Sequence, residues 1–192
     1  MRILNGCAKS KFIADAFTEL GWDAWTCDLL PPEGAGKHIQ DDIRNHFNDG
    51  WDMAIFHPEC TFLANSGVRW LHERPERWMM MIEAAAFFNE CLNSPIPRIC
   101  VENPIQHKYA RELIRPPDQI VQPYWFGEGE TKATCLWLIG LPPLLATLVH
   151  TGREGRVWKE PPSPERKANR SRTYQGMAIA MAKQWGQFPT PQ

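Results

Sequence analysis

Several features that mark particular protein classes are missing from this sequence. No apolar run approaches the roughly 20 residues of a membrane helix, and residues 1–7 lead into a lysine-containing loop instead of the apolar core of a signal peptide. The six cysteines show neither the short paired spacings of a zinc site nor those of a secreted disulfide framework. We therefore expect a cytoplasmic protein with reduced thiols, no membrane partner and no metal site.

An excess of charge of one sign is also missing. The net charge is −1 over 192 residues, which excludes a protein that coats nucleic acid by electrostatic attraction alone. Hydrophobic residues make up 43% of the chain and charged residues 22%, a balance typical of folded rather than disordered proteins. The length suits a single domain over residues 1–192, with an irregular, proline-rich and basic segment at about residues 104–172 within it.

Strand-like and helix-like apolar patterns alternate along the chain. The predicted strands cover residues 1–5, 23–30, 51–56, 97–102 and 133–138, and the predicted helices cover residues 11–20, 43–47, 75–92 and 177–185. Ser10 is predicted to cap the first helix. This alternation predicts an α/β fold of the Rossmann-like type, a doubly wound and mostly parallel sheet with helices on both faces.

Polar residues follow directly after several of the predicted strands. They are residues 6–10, Asp28, residues 57–60 and residues 102–104. Ligands of open parallel sheets bind beyond the carboxyl ends of the strands, so we expect one crevice to collect these residues. Cys60 in that crevice is either a nucleophile or a loop cysteine without a chemical role. Glu102 is either a general acid or a carboxylate solvated at the rim of the sheet.

The segments around Cys60 and Glu102 resemble known motifs. Pro58-Glu59-Cys60 is similar to the Pro-Cys motif of the cytosine-5 DNA methyltransferases, and Glu102-Asn103 is similar to their Glu-Asn-Val motif. Further matches follow the order of that family at Asn5 to Ser10, Cys27-Asp28, Asp41-Asp42 and Gly176. The chain resembles in particular the small phage and prophage proteins of this kind that lack a target-recognition domain. The resemblance implies a methyltransferase-like catalytic domain.

The resemblance also implies a reaction, modification of carbon 5 of a pyrimidine with S-adenosylmethionine as methyl donor. Cys60 would add to carbon 6, Glu102 would hydrogen-bond the ring nitrogen and the exocyclic amine, and Asn103 would fix the adjoining loop. The residues expected on the cofactor side are Asn5, Gly6, Asp28, Asp42 and Gly176. The residues expected on the substrate side are His57, Pro58, Asn65, Ser66 and Lys132. The substrate would be a base in DNA first, or in RNA or a free pyrimidine nucleotide.

The sequence departs from the family pattern in several places. The first loop, Gly6 to Ser10, has fewer glycines, Glu59 stands where the family has proline, and Pro104 replaces an apolar residue. A carboxylate beside a thiol disfavours the thiolate. A chain of 192 residues also lacks room for a recognition domain, so sequence-specific DNA modification would need a separate recognition subunit.

Other functions remain open on the sequence alone. The same fold without a working cofactor loop would be a non-catalytic module that binds a nucleotide or nucleic acid, and the same nucleophile could act with a donor other than S-adenosylmethionine. His57-Pro58-Glu59 fits the H-x-E element of zinc deaminases, but the P-C-x-x-C element is absent. The basic residues at 165–172 are expected either to bind phosphates or to lie in solvent. Four tryptophans are expected either to stack on bases or to pack in the core; they are Trp70, Trp78, Trp125 and Trp158.

Overall fold

The computed structural model describes residues 1–156, 161 and 173–187. The strands within them are β1 (Arg2–Gly6), β2 (Asp23–Asp28), β3 (His38–Gln40), β4 (Met53–Phe56), β5 (Ile99–Pro104), β6 (Gln119–Val121) and β7 (Thr134–Ile139). The α-helices are α1 (Phe12–Thr18), α2 (Arg69–Glu73), α3 (Arg77–Leu92) and α4 (Gln175–Trp185). Short 3-10 helices lie at Ile43–His46, Asn65–Gly67, Ala110–Glu112 and Pro123–Trp125.

The strands form one sheet in the order β3-β2-β1-β4-β5-β7-β6. The strands from β3 to β5 in this order run parallel, whereas β7 lies antiparallel to both of its neighbours, β5 and β6. The protein is therefore an α/β protein with a single, mostly parallel sheet. Because β1, β4 and β5 are adjacent and parallel, their carboxyl ends meet at the same edge of the sheet.

Buried apolar side chains cover both faces of this sheet. Along β1, Ile3 belongs to a core cluster with residues of α1 and α4, and Leu4 belongs to a second cluster with residues of α3. Successive strand residues point to opposite faces, so a strand that is buried on both faces reads as a continuous apolar run. Met53–Phe56 is such a run, and each of its residues is buried. Trp185 of α4 and Phe88 of α3 fill the two clusters from opposite sides.

The prediction for the start of the first helix was wrong. Helix α1 begins at Phe12, and its N-cap position is Lys11, which makes no side-chain cap hydrogen bond. Ser10 lies one position too early, since an N-cap side chain must immediately precede the first helical residue. The Ser10 carbonyl oxygen instead accepts a hydrogen bond from the Asn5 side-chain amide at 3.3 Å.

The sequence patterns also missed β3, β6 and α2 and extended the second strand too far. β3 and β6 have three residues each and α2 has five, which is too short for a hydrophobic period to show. The second strand ends at Asp28 instead of at Leu30, because the Asp28 carboxylate accepts a hydrogen bond from the Leu30 N–H at 2.9 Å and turns the chain.

The three described tryptophans that the sequence assigned either to base stacking or to the core are in contact with other side chains. Trp78 and Tyr109 are in edge-to-face ring contact at 4.8 Å, Trp125 packs against the α1–α4 cluster, and the Arg69 guanidinium lies 4.3 Å from the ring of half-buried Trp70. Trp158 and residues 165–172 lie outside the described residues.

The longest described helix, α3, has 16 residues, and no helix in the described part of the chain could cross a membrane.

Candidate active site

The meeting point of β1, β4 and β5 brings together residues that are far apart in the sequence. Asn5 lies in β1, His57 directly follows β4, and Glu102 lies in β5. The His57 backbone N–H donates a hydrogen bond to the Gly6 carbonyl oxygen at 3.0 Å, which extends the pairing of β1 and β4 beyond the end of β4. The sheet therefore fixes His57 between the strands that carry Asn5 and Glu102.

The His57 side chain connects its two neighbours. Its Nδ1 lies 3.0 Å from Glu102 Oε2, and its Nε2 lies 3.1 Å from Asn5 Oδ1. Asn5 is buried, whereas the side chains of His57 and Glu102 retain 14% and 15% of their exposure to solvent. A hydrogen-bonded chain thus runs across adjacent strands, from buried Asn5 to the half-buried Glu102.

The loop that carries Cys60 is held against the segment that follows Glu102. The Asn103 amide donates to the Pro58 carbonyl oxygen at 2.8 Å. Further along the loop, the Asn65 N–H donates to the Ile105 carbonyl oxygen at 2.8 Å, and the His107 N–H donates to the Leu63 carbonyl oxygen at 3.0 Å. Cys60 lies between these anchors, so the position of its half-buried thiol depends on the strand that carries Glu102.

The charges around Cys60 act on its thiol in opposite directions. Burial raises the pKa of Cys60, and the carboxylates of Glu102 and Glu59 raise it further, whereas the ammonium of Lys132 lowers it. The net shift is upward, so the thiol is protonated at neutral pH in the ligand-free protein. The same interactions show that Cys60, Glu102 and Lys132 share one electrostatic neighbourhood.

Glu102 is ionised in this neighbourhood in spite of its burial. Burial alone would raise the pKa of the Glu102 carboxyl, but the hydrogen bond with His57 and the positive charge of Lys132 outweigh it and lower the pKa. The site therefore pairs a carboxylate with a nearby thiol. A flat heterocycle between them would meet a hydrogen-bond acceptor on one side and a nucleophile, once deprotonated, on the other.

Comparison with solved structures gives matches that are distant in sequence. One structure to which this chain is similar is that of a candidate DNA modification methyltransferase encoded within a prophage of E. coli. The likeness has 15% sequence identity and a TM-score of 0.48, and it covers 78% of this chain and 52% of that one. This chain thus spans about half the length of that structure. No protein-family model and no curated protein matches the sequence.

On the predicted cofactor side, Asp28 stands at the carboxyl end of β2. It is half-buried, and its Oδ1 accepts the hydrogen bond from Leu30. Gly6 is buried, and a Cβ at its position would come within 2.6 Å of the Phe56 ring, so close packing requires glycine there. Cys7 follows in a left-handed conformation with φ of 56°, and the Cys91 thiol and burial raise its pKa well above the usual value.

Asp42 and Gly176 have contacts that account for them without a cofactor. Asp42 begins the 3-10 helix at Ile43–His46, and its carboxylate accepts hydrogen bonds from the backbone and the guanidinium of Arg44. A Cβ on Gly176 would collide with the Phe126 carbonyl oxygen. The Gly176 N–H donates to Glu128 Oε1 at 3.1 Å. Cofactor contacts of Asp42 and Gly176 stay predictions.

The predicted substrate-side residues are divided between the buried and the exposed side of the Cys60 loop. Pro58 is buried beneath the loop, whereas Asn65 and Ser66 are exposed in its 3-10 turn. Lys132 comes from the segment before β7, where its backbone N–H donates to Gln122 Oε1 at 3.0 Å. Its Nζ lies 5.7 Å from the centroid of the Tyr174 ring. Because β7 runs antiparallel to β5, the segment that precedes β7 places this cation at the edge where the parallel strands end.

Two buried residues that follow Pro104 have contacts that the sequence patterns did not predict: Gln106 was not considered, and His107 was considered only as a zinc ligand with His57 and Cys60. His107 Nε2 lies 2.9 Å from the Phe62 carbonyl oxygen, and its Nδ1 accepts a hydrogen bond from the Ala110 N–H at 3.1 Å. Nε2 must therefore be the protonated nitrogen, and it anchors the Cys60 loop. Gln106 is 4% exposed, and neither polar atom of its side chain has a hydrogen-bond partner among the described residues. The sequence feature that could have indicated these two residues was their position shortly after Glu102-Asn103-Pro104.

A cavity of about 330 Å³ opens beside the Cys60 loop. It is lined by Glu59, Phe62, Met80, Glu83, Ala84 and Phe87. Most of its walls are apolar side chains of α3. Glu59, the residue before Cys60, also lines the cavity and is exposed. The described residues contain no group of three or more metal-ligating side chains that could hold an ion.

Proposed function

We propose that the protein modifies carbon 5 of a pyrimidine base by methyl transfer, with Cys60 as nucleophile and Glu102 as the group that activates the ring. The proposal is supported by one observation: the loop that carries Cys60 follows β4 and is held by the Asn103 amide to the end of the adjacent strand β5, which carries Glu102. The order of the sequence motifs agrees with it. We propose further that residues 1–192 form a single methyltransferase-like domain of the doubly wound type.

The chemistry explains why both groups are needed. Carbon 5 of cytosine is too weak a nucleophile to take a methyl group directly. Addition of the Cys60 thiolate to carbon 6 forms an S–C bond and moves the electron pair of the C5–C6 double bond into the ring, where a proton or hydrogen bond at the ring nitrogen stabilises it. Carbon 5 then attacks the methyl group, a base removes the proton from carbon 5, and the Cys60 sulfur leaves with its bonding pair.

Lys132 fits a supporting role in this reaction. The Cys60 thiol must lose its proton to water before it attacks, and of its neighbours Lys132 is the group that favours the thiolate. The same ammonium favours the ionised form of Glu102. We propose that Lys132 lies beside the base and stabilises negative charge on the sulfur before addition and after elimination.

S-adenosylmethionine supplies a methyl group on a sulfonium centre when it is bound. The carboxyl ends of β1 and β2 fit its nucleoside in one respect, since the half-buried Asp28 carboxylate can accept hydrogen bonds from a ribose diol. The loop from Gly6 to Ser10 would face the rest of the cofactor. Asn5 is less suited to this role than the motif predicts, because its side chain is engaged by Ser10 and His57.

The substrate we propose is a base in a nucleic-acid strand, DNA in the first instance, flipped out of a duplex or offered in a single strand. Selection of a sequence would fall to a separate recognition subunit.

The test is covalent trapping with DNA that contains 5-fluorocytosine. Fluorine replaces the carbon-5 proton that must leave, so the thioether between carbon 6 and Cys60 cannot be resolved after methyl transfer. We expect an adduct by mass spectrometry with wild-type protein and S-adenosylmethionine, none with Cys60→Ala, and a rate about 10²-fold lower with Glu102→Gln. Glu112→Gln, which removes an exposed carboxylate of the Ala110–Glu112 turn, is the matched control. An adduct on Cys60→Ala would refute the assignment of the nucleophile.

The protonated state of the Cys60 thiol favours a second candidate. A thiol whose pKa is raised by burial and by Glu102 and Glu59 is a poor nucleophile, as expected for a module that binds a nucleotide or nucleic acid without reacting. The use of a donor other than S-adenosylmethionine is a variant of the first proposal. Calorimetry separates the methyltransferase from the binding module: binding of the DNA strand without S-adenosylmethionine binding and without adduct formation would favour the binding module.

A further inference from the structure

His57 faces hydrogen-bond acceptors with both of its ring nitrogens. Nδ1 is 3.0 Å from the Glu102 carboxylate and Nε2 is 3.1 Å from the Asn5 side-chain oxygen. A neutral imidazole carries a proton on one nitrogen and a lone pair on the other. In the neutral form one of these contacts would therefore set a lone pair against an oxygen, whereas the imidazolium form satisfies both contacts.

The orientation of the Asn5 amide is fixed by a separate contact. Asn5 Nδ2 donates to the Ser10 carbonyl oxygen at 3.3 Å, which leaves Oδ1 toward His57. Turning the amide over would place Oδ1 against the Ser10 carbonyl oxygen, with two acceptors in contact and no proton between them. Because Asn5 is buried, water cannot easily relieve that contact.

A charged group is in direct contact with the His57 ring, the Glu102 carboxylate of β5. β1 contributes the neutral Asn5. The other titratable groups of the site act on Cys60, and they are the exposed Glu59 carboxylate of the same loop and the Lys132 ammonium from the segment before β7. Because Coulomb energy falls with distance, the Glu102 carboxylate is the charge that complements an imidazolium most closely.

We propose that His57, held as an imidazolium by Asn5 and Glu102, is the positioning residue that supplies Glu102 with the proton it delivers to the pyrimidine ring nitrogen. This inference rests on the proposed function and extends it. Glu102 is ionised in the ligand-free site and has no proton to give, and the hydrogen bond to His57 offers one directly.

The step balances as follows. As the Cys60 thiolate forms the S–C6 bond, the His57 Nδ1–H bond breaks and its proton passes to Glu102 Oε2. The carboxyl group then turns and gives this same proton to the ring nitrogen, so that the ring N–H bond forms as the O–H bond breaks, and His57 is left neutral and Glu102 ionised. When the sulfur leaves, the ring nitrogen returns its proton through Glu102 to His57. The proton lost from carbon 5 and the proton lost from the Cys60 thiol both go to water.

The first test needs no turnover. Ring-nitrogen NMR of wild-type protein labelled at histidine should give His57 the paired signals of an imidazolium at neutral pH, assigned by their loss in His57→Gln. In Asn5→Leu, which cannot accept from Nε2, the imidazolium signal should weaken at the same pH. A neutral His57 ring in the wild-type protein would overturn the inference and leave the proposed function intact.

The second test separates proton supply from positioning. In His57→Gln the side-chain amide can still donate to Glu102 but has no acidic proton, whereas His57→Leu removes both properties. We expect both variants to form the 5-fluorocytosine adduct about 10²-fold more slowly, the usual contribution of a general acid, with unchanged KM for the DNA strand. Deprotonation of Cys60 affects both proteins alike and cancels in the ratio of the wild-type rate to the His57→Gln rate, so this ratio should fall in alkaline solution, where the proposed imidazolium is no longer present. His150→Gln, at an exposed position, is the control.

The outcomes identify which proposal fails. A wild-type rate in folded His57→Gln, as judged by its thermal melt, would overturn proton supply while Cys60 chemistry stands. No adduct from the wild-type protein would overturn the proposed function and this inference with it, whatever the NMR result.

Discussion

At the scale of single residues, Cys60 is subject to opposing charges whose balance one substitution can change. Glu59 and Glu102 raise the pKa of its thiol, in addition to burial, and Lys132 lowers it. Glu102 is needed for the proposed reaction, whereas Glu59 is exposed and has no part in that scheme. Its carboxylate accepts a hydrogen bond from the Thr61 hydroxyl, and its charge opposes formation of the Cys60 thiolate.

We expect Glu59→Gln to lower the pKa of Cys60 and to speed its alkylation by iodoacetamide at neutral pH. Removal of one negative charge near the sulfur favours the thiolate, which is the reactive species. Alkylation of the Cys60 peptide followed by mass spectrometry against pH measures the shift. Glu83→Gln is the matched control, because Glu83 lines the same cavity from α3. Equal rates for Glu59→Gln and Glu83→Gln would contradict the electrostatic account.

At the scale of elements, the loop from Pro58 to Gly67 depends on the end of β5 for its position. The Asn103 side chain is 1% exposed, and its amide donates to the Pro58 carbonyl oxygen at 2.8 Å. Asn103 Oδ1 has no hydrogen-bond partner among the described residues, so the donated bond is the main polar contact of this side chain. Asn103 thus joins the loop of the nucleophile to the strand of the acid.

Asn103→Ala should therefore lower the free energy of unfolding by about 1–3 kcal/mol, because it leaves the Pro58 carbonyl oxygen buried and unpaired. Urea unfolding measures this loss. Asn93→Ala removes an exposed side-chain bond to the Asn89 carbonyl oxygen and should cost less than about 0.5 kcal/mol. Comparable losses for the two variants would show that the Asn103 bond does not hold the loop.

The elements that could be predicted from the sequence are those whose apolar pattern is long or fully buried. α3 and the buried runs of β4 and β5 were predicted within a few residues. β3, β6 and α2 were not, since three to five residues carry no period. Ser10 misled the prediction because its side chain suits a cap, while the chain geometry places Lys11 at that position.

At the scale of the whole molecule, the sheet order explains which residues of the candidate site the sequence could group together. The rule that polar residues gather at the carboxyl ends of parallel strands led to Cys60 and Glu102, and adjacent β4 and β5 bring them together. Lys132 could not be placed by that rule, because it precedes the antiparallel strand β7. The double acceptor environment of His57 depends on three-dimensional contacts with Asn5 and Glu102, which leave no periodic signal.

The response of the folded protein to acid tests the network as a whole. Burial opposes ionisation of Glu102, but the His57 hydrogen bond and Lys132 lower its pKa below that of an ordinary glutamate. A carboxyl with a lower pKa in the folded chain binds fewer protons when folded. Its contribution to the free energy of unfolding is complete above the unfolded pKa and is lost as the pH falls through the folded pKa.

We therefore expect Glu102→Gln to be less stable than the wild-type protein at neutral pH and the gap to narrow as the pH falls below the ordinary range of glutamate. Other carboxyls with lowered pKa values, such as Asp23 and Asp118, are present in both proteins and cancel in the difference. Urea unfolding of both proteins across this pH range measures the gap. A gap that is constant or widens in acid would mean that the ionised Glu102 does not stabilise the folded state, and the Asn5–His57–Glu102 chain would then lack the charge on which its proposed role depends.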